Sequence, residues 1–204
     1  NTQLSYSEAL REQSGYAKAL GARFPGSVEE RLGQMLILAS EGDAENSVAK
    51  YTAALTGLRE IIELAPNNAL AISQAAFTAR ALLRFDEAVA LAERAVSVDP
   101  ADPRAHLALA HALGSAGRGN EAVAVLRDAT RRLPDSTLIY SLMYFLDGNG
   151  EIAEAVATAS TTCAQPPRPL TCVVMRFRAL RLLGFMHAAE RLLDIAGGAT
   201  GTPL

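Results

Sequence analysis

Tryptophan is absent from this chain of 204 residues, and aromatic residues make up only 5% of it although half of the residues are hydrophobic. Alanine, with 39 copies, supplies much of the apolar content instead. Because alanine is the best helix former and is depleted from strands, this composition predicts an all-α protein. Small side chains also let helix backbones approach closely, so we expect tightly packed helices.

Lysine is almost missing too, since only Lys18 and Lys50 accompany 17 arginines, and the net charge is −3. No basic stripe suited to a phosphate backbone is visible, so nucleic acid is not an expected partner. The excess of arginine and alanine suggests a GC-rich bacterial genome. The composition does not distinguish a cytoplasmic from a periplasmic location.

Long apolar runs are lacking, and none approaches the ~20 residues of a membrane-spanning helix. The chain also lacks an HExxH motif, a Cys/His cluster, a GxSxG elbow and a conspicuous pair of carboxylates. His106 and His111 lie five residues apart, about 140° around a helix, so they cannot share a metal from one face. We therefore expect no catalytic residues, no metal and no cofactor, and we interpret His106 as a core residue.

One glycine-rich segment, Gly114 to Gly119, superficially resembles a phosphate-binding loop. A dinucleotide fingerprint follows a strand, and a P-loop needs a lysine after its last glycine. Here a helical pattern precedes the segment and Asn120 follows it. The sequence therefore favours a turn between two helices.

Cysteine is limited to Cys163 and Cys172, which bracket a proline-rich connection. One interpretation is two reduced residues, with Cys172 filling a core position. The other is a disulfide that pins the connection, which would imply an oxidising compartment such as a periplasm. The sequence leaves both interpretations open.

The strongest pattern is an internal repeat, since Pro66, Pro100 and Pro134 follow one another at intervals of 34 residues. Small and apolar residues recur in the same register in the two units that end at the second and third prolines. In the first of these units they are Ile72, Ala75, Ala76, Ala79, Ala88, Ala92 and Ala95. In the second, His106 stands at the position of Ile72 and is followed by Leu109, Ala110, Leu113, Ala122, Leu126 and Ala129. The period and register resemble the tetratricopeptide repeat (TPR), a helix–turn–helix unit of 34 residues.

The resemblance implies a right-handed α-solenoid of about ten to twelve helices, in which each unit buries its apolar faces against its neighbours. Residues 27–68 form an irregular unit: a capping box at Ser27–Glu30 starts one helix, Glu41–Asp43 forms a turn, and an extended second helix runs to Leu64. Tyr144 and Arg176 occupy positions where the pattern has a small residue. The proposed divisions are a capping helix at 1–26, the irregular unit 27–68, TPR units at 69–102 and 103–136, a TPR-like unit at 137–168, a degenerate unit at 169–196 and a flexible tail at 197–204.

In TPR proteins the first helices of the units usually line a concave groove that receives the ligand. The resemblance places eleven residues of this chain there, namely Leu70, Phe77, Arg80, Arg104, Leu107, His111, Leu138, Phe145, Val173, Phe177 and Arg181. Phe77, His111, Phe145 and Phe177 would form an aromatic stripe, although the same rings could instead pack between helices. The lysine/asparagine/arginine clamp that grips chaperone tails is missing, so we expect an apolar or amphipathic protein segment as the ligand.

Two functions are compatible with such a solenoid. The first is a non-catalytic scaffold or adaptor, resembling TPR proteins of bacterial secretion, pilus or envelope assembly. The second is a structural module of a longer protein that acts as a spacer, self-associates or supports an enzyme. The absence of an initial methionine favours the module, whereas the capping-type helix within residues 1–26 favours a self-contained unit.

Overall fold

A computed structural model describes residues 26–133 and 135–162 together with residues 178, 180, 181, 183 and 184. This part of the chain contains eight α-helices and no strand, which confirms the predicted all-α class. The helices are α1 (Val28–Glu45), α2 (Val48–Leu64), α3 (Ala69–Ala81), α4 (Phe85–Val98), α5 (Pro103–Ser115), α6 (Gly119–Arg132), α7 (Ser136–Gly148) and α8 (Ile152–Thr162).

The chain divides into two compact units, Asn1–Gly117 and Arg118–Leu204. In the first unit each helix packs against the next one along the chain, and α1 and α5 also contact α3. In the second unit α6 packs on α7 and α7 packs on α8. Such packing between sequence neighbours is the arrangement expected of a repeat protein.

Side chains cap the starts of α1 and α5, and the contacts at Ser27–Glu30 confirm the predicted capping box. At α1 the Ser27 hydroxyl accepts a hydrogen bond from the Glu30 amide at 3.1 Å, and the Glu30 carboxylate accepts one from the Gly26 amide at 2.6 Å. At α5 the Asp102 carboxylate accepts from the Arg104 amide at 3.0 Å, while Pro103 takes the first helical position. These contacts satisfy amides that have no partner within the helix.

The turn predicted at Glu41–Asp43 is wrong, because α1 continues through these residues to Glu45. The chain reverses instead at Asn46, whose φ of 50° lies in the left-handed region that asparagine tolerates. Gly42 lies within this helix and in close contact with the Tyr51 ring, since a Cβ at position 42 would lie 2.9 Å from two ring carbons. The irregular unit therefore has two long helices of 18 and 17 residues.

The alanines of the repeat register form the core of the described helices. Ala88, Ala92 and Ala95 on α4 are fully buried, and Ile72 on α3 is likewise 0% exposed. In the second unit Ala122 and Ala129 on α6 and Ala155 and Ala159 on α8 are buried as well. Small residues at these positions let the helices pack closely, as the repeat pattern predicts.

Tyr144 on α7, which replaces a small residue of the pattern, is directed outward and remains 50% exposed. Its ring centroid lies 5.3 Å from the guanidinium carbon of Arg178, which also lies 6.0 Å from the Tyr140 ring. Arg178 forms an ion pair with Asp147 at 3.1 Å. The cation–π and charge contacts explain how the second unit accommodates the larger side chain.

Leu83, in the turn after α3, adopts a left-handed backbone conformation with φ of 60°. The corresponding turns hold Gly117, Gly150 and Gly184, with φ of 78°, 78° and 79°. Leu83 is 73% exposed and lies at the edge of a surface depression of about 380 Å³. Since left-handed geometry costs a non-glycine residue roughly 1–2 kcal/mol, this turn is strained without much compensating burial.

Replacing Leu83 by glycine should therefore stabilise the protein. We expect the free energy of unfolding to rise by about 0.5–1 kcal/mol, because the relieved strain exceeds the extra chain entropy of glycine in the unfolded state. Urea denaturation followed by circular dichroism measures the change. Leu64→Gly is the control, since Leu64 is also exposed but ends a regular helix, where glycine destabilises. Equal destabilisation by both substitutions would show that the turn at Leu83 is not strained.

Candidate functional site

Two residues predicted to line the groove, Phe77 on α3 and His111 on α5, lie next to each other in the first unit. Their ring centroids are 6.3 Å apart and the ring planes are inclined by 52°. Both side chains are half-buried. Aromatic side chains contribute strongly to the energetics of protein interfaces. This half-buried pair is therefore a candidate contact site for another molecule.

Ser73, Phe77 and Arg80 follow one another at intervals of four and three residues, so they share one side of α3. We call these three residues together with His111 the α3–α5 face. The helix α3 packs on α5, which brings His111 to this side. The face thus combines a hydroxyl, two aromatic rings and a guanidinium group.

The electrostatics of the α3–α5 face are dominated by Arg80. The pKa of His111 is lowered, first because the ring is buried and second because the Arg80 charge is nearby. The imidazole is therefore held in its neutral form near pH 7, and the positive charge of the face belongs to Arg80.

Two polar atoms on this face are buried without a hydrogen-bond partner, the Ser73 hydroxyl and Arg80 Nε. Within the described part of the chain, no carboxylate forms an ion pair with Arg80. Leaving a buried donor unsatisfied typically costs about 1–3 kcal/mol, and more for a charged group. The face consequently holds hydrogen-bonding capacity that the described residues do not use.

The other predicted groove residues of the first unit differ in their exposure. Leu70 is half-buried, whereas Leu107 is only 8% exposed and packs in the core. Arg104 is exposed, and its Nε lies 3.1 Å from the Asp102 carboxylate. Leu107 therefore offers little surface to a partner, and the charge of Arg104 is already paired.

In the second unit Leu138 is fully buried and belongs to the core. Phe145 is half-buried, with its ring centroid 5.4 Å from that of Tyr144 in an edge-to-face arrangement. Arg181 is exposed. The remaining candidates, Val173 and Phe177, and the cysteines Cys163 and Cys172 lie outside the described residues.

The sequence analysis did not identify the cluster of Tyr140, Tyr144, Asp147 and Arg178. Its signal was present, because the first three residues recur at intervals of four and three on one side of α7. The repeat register predicts a position for Tyr144 but not its contact with Arg178, which depends on the tertiary packing.

Two other sequence interpretations are confirmed. His106 is 2% exposed, and its Nε2 lies 2.9 Å from the Pro100 carbonyl, so it is a core histidine with a hydrogen-bond partner. Gly117 lies in a turn rather than a phosphate loop, since it follows α5 with a left-handed φ. Among the described residues, no group of three or more His, Cys, Asp or Glu side chains could hold a metal, and no helix could span a membrane.

A sequence model of the tetratricopeptide repeat family matches residues 79–143. The small glutamine-rich tetratricopeptide repeat-containing protein 2 of Mycosarcoma maydis is 35% identical over 95 residues, which are 47% of this chain and 27% of that protein. Together with the fold, these matches support the resemblance to the tetratricopeptide repeat family that the sequence predicts. The chain spans about a quarter of the length of this curated relative.

Solved structures show the same fold at low sequence identity. A thermophilic TPR protein of Thermus thermophilus is 18% identical with a TM-score of 0.70, covering 88% of this chain and 94% of that one. A tetratricopeptide repeat protein of Parabacteroides merdae is 16% identical with a TM-score of 0.67, covering 97% and 73%. These similarities place the chain in the TPR α-solenoid class.

Proposed function

We propose that this chain is a non-catalytic scaffold or adaptor that binds a peptide or partner helix through the first helices of its units. TPR proteins generally mediate protein–protein interactions, and the family is typically non-catalytic. The observation that favours this role here is the half-buried Phe77–His111 pair beside Arg80, whose Nε has no hydrogen-bond partner among the described residues. The rings suit an apolar or amphipathic segment. Bacterial secretion, pilus or envelope assembly is the setting that we propose for this role.

A structural module of a longer protein is the second candidate. The observation that favours it is the match to a curated relative, because this chain spans only 27% of the length of that protein. In this role the repeats would space other domains or self-associate, and the α3–α5 face would not bind a separate peptide. Measuring peptide binding at that face therefore distinguishes the two candidates.

The test begins with a phage-displayed peptide library selected on the purified chain. For a selected peptide we expect Phe77→Ala to weaken binding at least about tenfold in fluorescence anisotropy, because binding energy concentrates in a few buried aromatic anchors. Glu93→Ala is the control, since Glu93 is an exposed residue of α4 outside the face. Circular dichroism verifies that the helices remain. Normal binding by a folded Phe77→Ala variant would contradict the proposed site.

A further inference from the structure

The described part of the chain has two buried side-chain polar atoms without a partner, and both lie on the same side of α3. Ser73 and Arg80 are seven residues apart, about two helical turns, with Phe77 between them. Ser73 is 1% exposed, so its hydroxyl has no access to bulk water. The unsatisfied hydrogen-bonding capacity of the described residues is therefore concentrated on the α3–α5 face.

Arg80 determines which ligand chemistry would satisfy this face. Arginine has five N–H donors and no acceptor, and it stays charged at any physiological pH. Its Nε and one terminal nitrogen form an edge that matches the two oxygens of a carboxylate. The only other titratable group assigned to the face, His111, is held neutral, so it neither repels nor replaces an anion there.

The surroundings of Arg80 contrast with those of other arginines in the described residues. Arg127 pairs with both Glu151 and Glu154, and Arg118 pairs with Glu121 through two hydrogen bonds. These arginines thus acquire carboxylate partners from the chain itself. Arg80 has no such partner among the described residues. Because it is half-buried, leaving its charge unpaired costs more than it would for an exposed arginine.

We propose that the α3–α5 face selects partner segments carrying an acidic side chain next to an apolar one, with Arg80 binding the carboxylate and Phe77 contacting the apolar neighbour. The inference rests on the proposed function and specifies its ligand. The long Arg80 side chain would rotate to present its Nε edge, which is shielded in the free chain. The acidic group belongs to an internal Asp or Glu of the partner segment.

The test uses three pools of pentapeptides whose variable positions are Leu, Ala or Phe. The first pool has a central Glu and capped ends, the second replaces this Glu by Gln, and the third has no acidic side chain but a free terminal carboxylate. Binding is followed by NMR through the Arg80 Nε–Hε signal and the backbone amides of Phe77 and His111. We expect the Glu pool alone to move the Arg80 signal downfield.

Two variants make the result specific. Arg80→Gln should weaken binding of the Glu pool at least about tenfold and leave the Gln pool unchanged. Arg131→Gln removes the same charge from a side chain of α6 that is 72% exposed, and it should leave both pools unchanged.

Equal shifts from the Glu and Gln pools would overturn the acidic preference while leaving the proposed groove function intact. An Arg80 shift from the free-carboxylate pool alone would overturn the assignment to an internal acidic residue. If no pool moves the Phe77 amide at millimolar concentration, the proposed function and the inference are both wrong.

Discussion

Ile72→Ala should lower the free energy of unfolding. Truncations of this kind typically cost about 2–5 kcal/mol, and we expect a value in the upper half of that range. Ile72 is 0% exposed, and the residues one and two turns further along the same side of α3, Ala76 and Ala79, are buried alanines. An alanine side chain cannot change rotamer to fill the space that the isoleucine leaves. The cavity should therefore persist, and its cost adds to the lost transfer free energy.

Denaturant unfolding followed by circular dichroism measures this change. Leu64→Ala is the control, because Leu64 is 63% exposed at the end of α2 and its truncation removes little buried area. We expect the control to change the free energy of unfolding by less than about 0.5 kcal/mol. Similar losses for both substitutions would mean that the apolar side of α3 has been assigned incorrectly.

Ile72→Ala tests whether the core needs a large side chain, whereas Ala88→Leu tests whether the helix contacts need a small one. Ala88 is fully buried on α4, which packs against both α3 and α5. Adding an isobutyl group to a packed site forces side chains off their rotamers or moves the backbone, which typically costs about 1–3 kcal/mol. The expected result is a lower unfolding midpoint in urea with an unchanged slope.

The matched control for this substitution is Ala90→Leu, two residues further along α4. Ala90 is exposed, so the same added group meets solvent instead of a neighbouring helix. Leucine is nearly as good a helix former as alanine, so the expected change stays within about 0.5 kcal/mol. If Ala88→Leu were as harmless as this control, the alanine positions would not define the helix contacts.

The repeat period made the core predictable from sequence. A 34-residue register identifies which alanines are buried, because packing faces recur with the repeat, and the structure buries Ala88, Ala92 and Ala95 accordingly. The turn in the irregular unit was not predictable in the same way. Glycine is a poor helix former, so Gly42 favours a turn when the sequence is considered locally. The reason for a glycine there is the close contact with the Tyr51 ring, which only the tertiary fold reveals.

The candidate site was predictable only in part. The repeat positions identified Phe77, Arg80 and His111 as residues of one face, but burial could not be deduced from position alone, since Leu107 and Leu138 of the same set are in the core. That Arg80 has no carboxylate partner among the described residues is also a property of the packed structure. A sequence with 22 acidic residues gives no indication of which arginine stays unpaired.

Each described helix of the first unit contacts only described helices one or two positions away along the chain. Contacts of this kind close short loops, so little chain entropy is lost before the first stabilising interactions form. Such a topology is expected to fold within microseconds to milliseconds and to begin at whichever helix pair forms first. Hydrogen exchange in the described part of this unit should accordingly report local opening of single helices in addition to global unfolding.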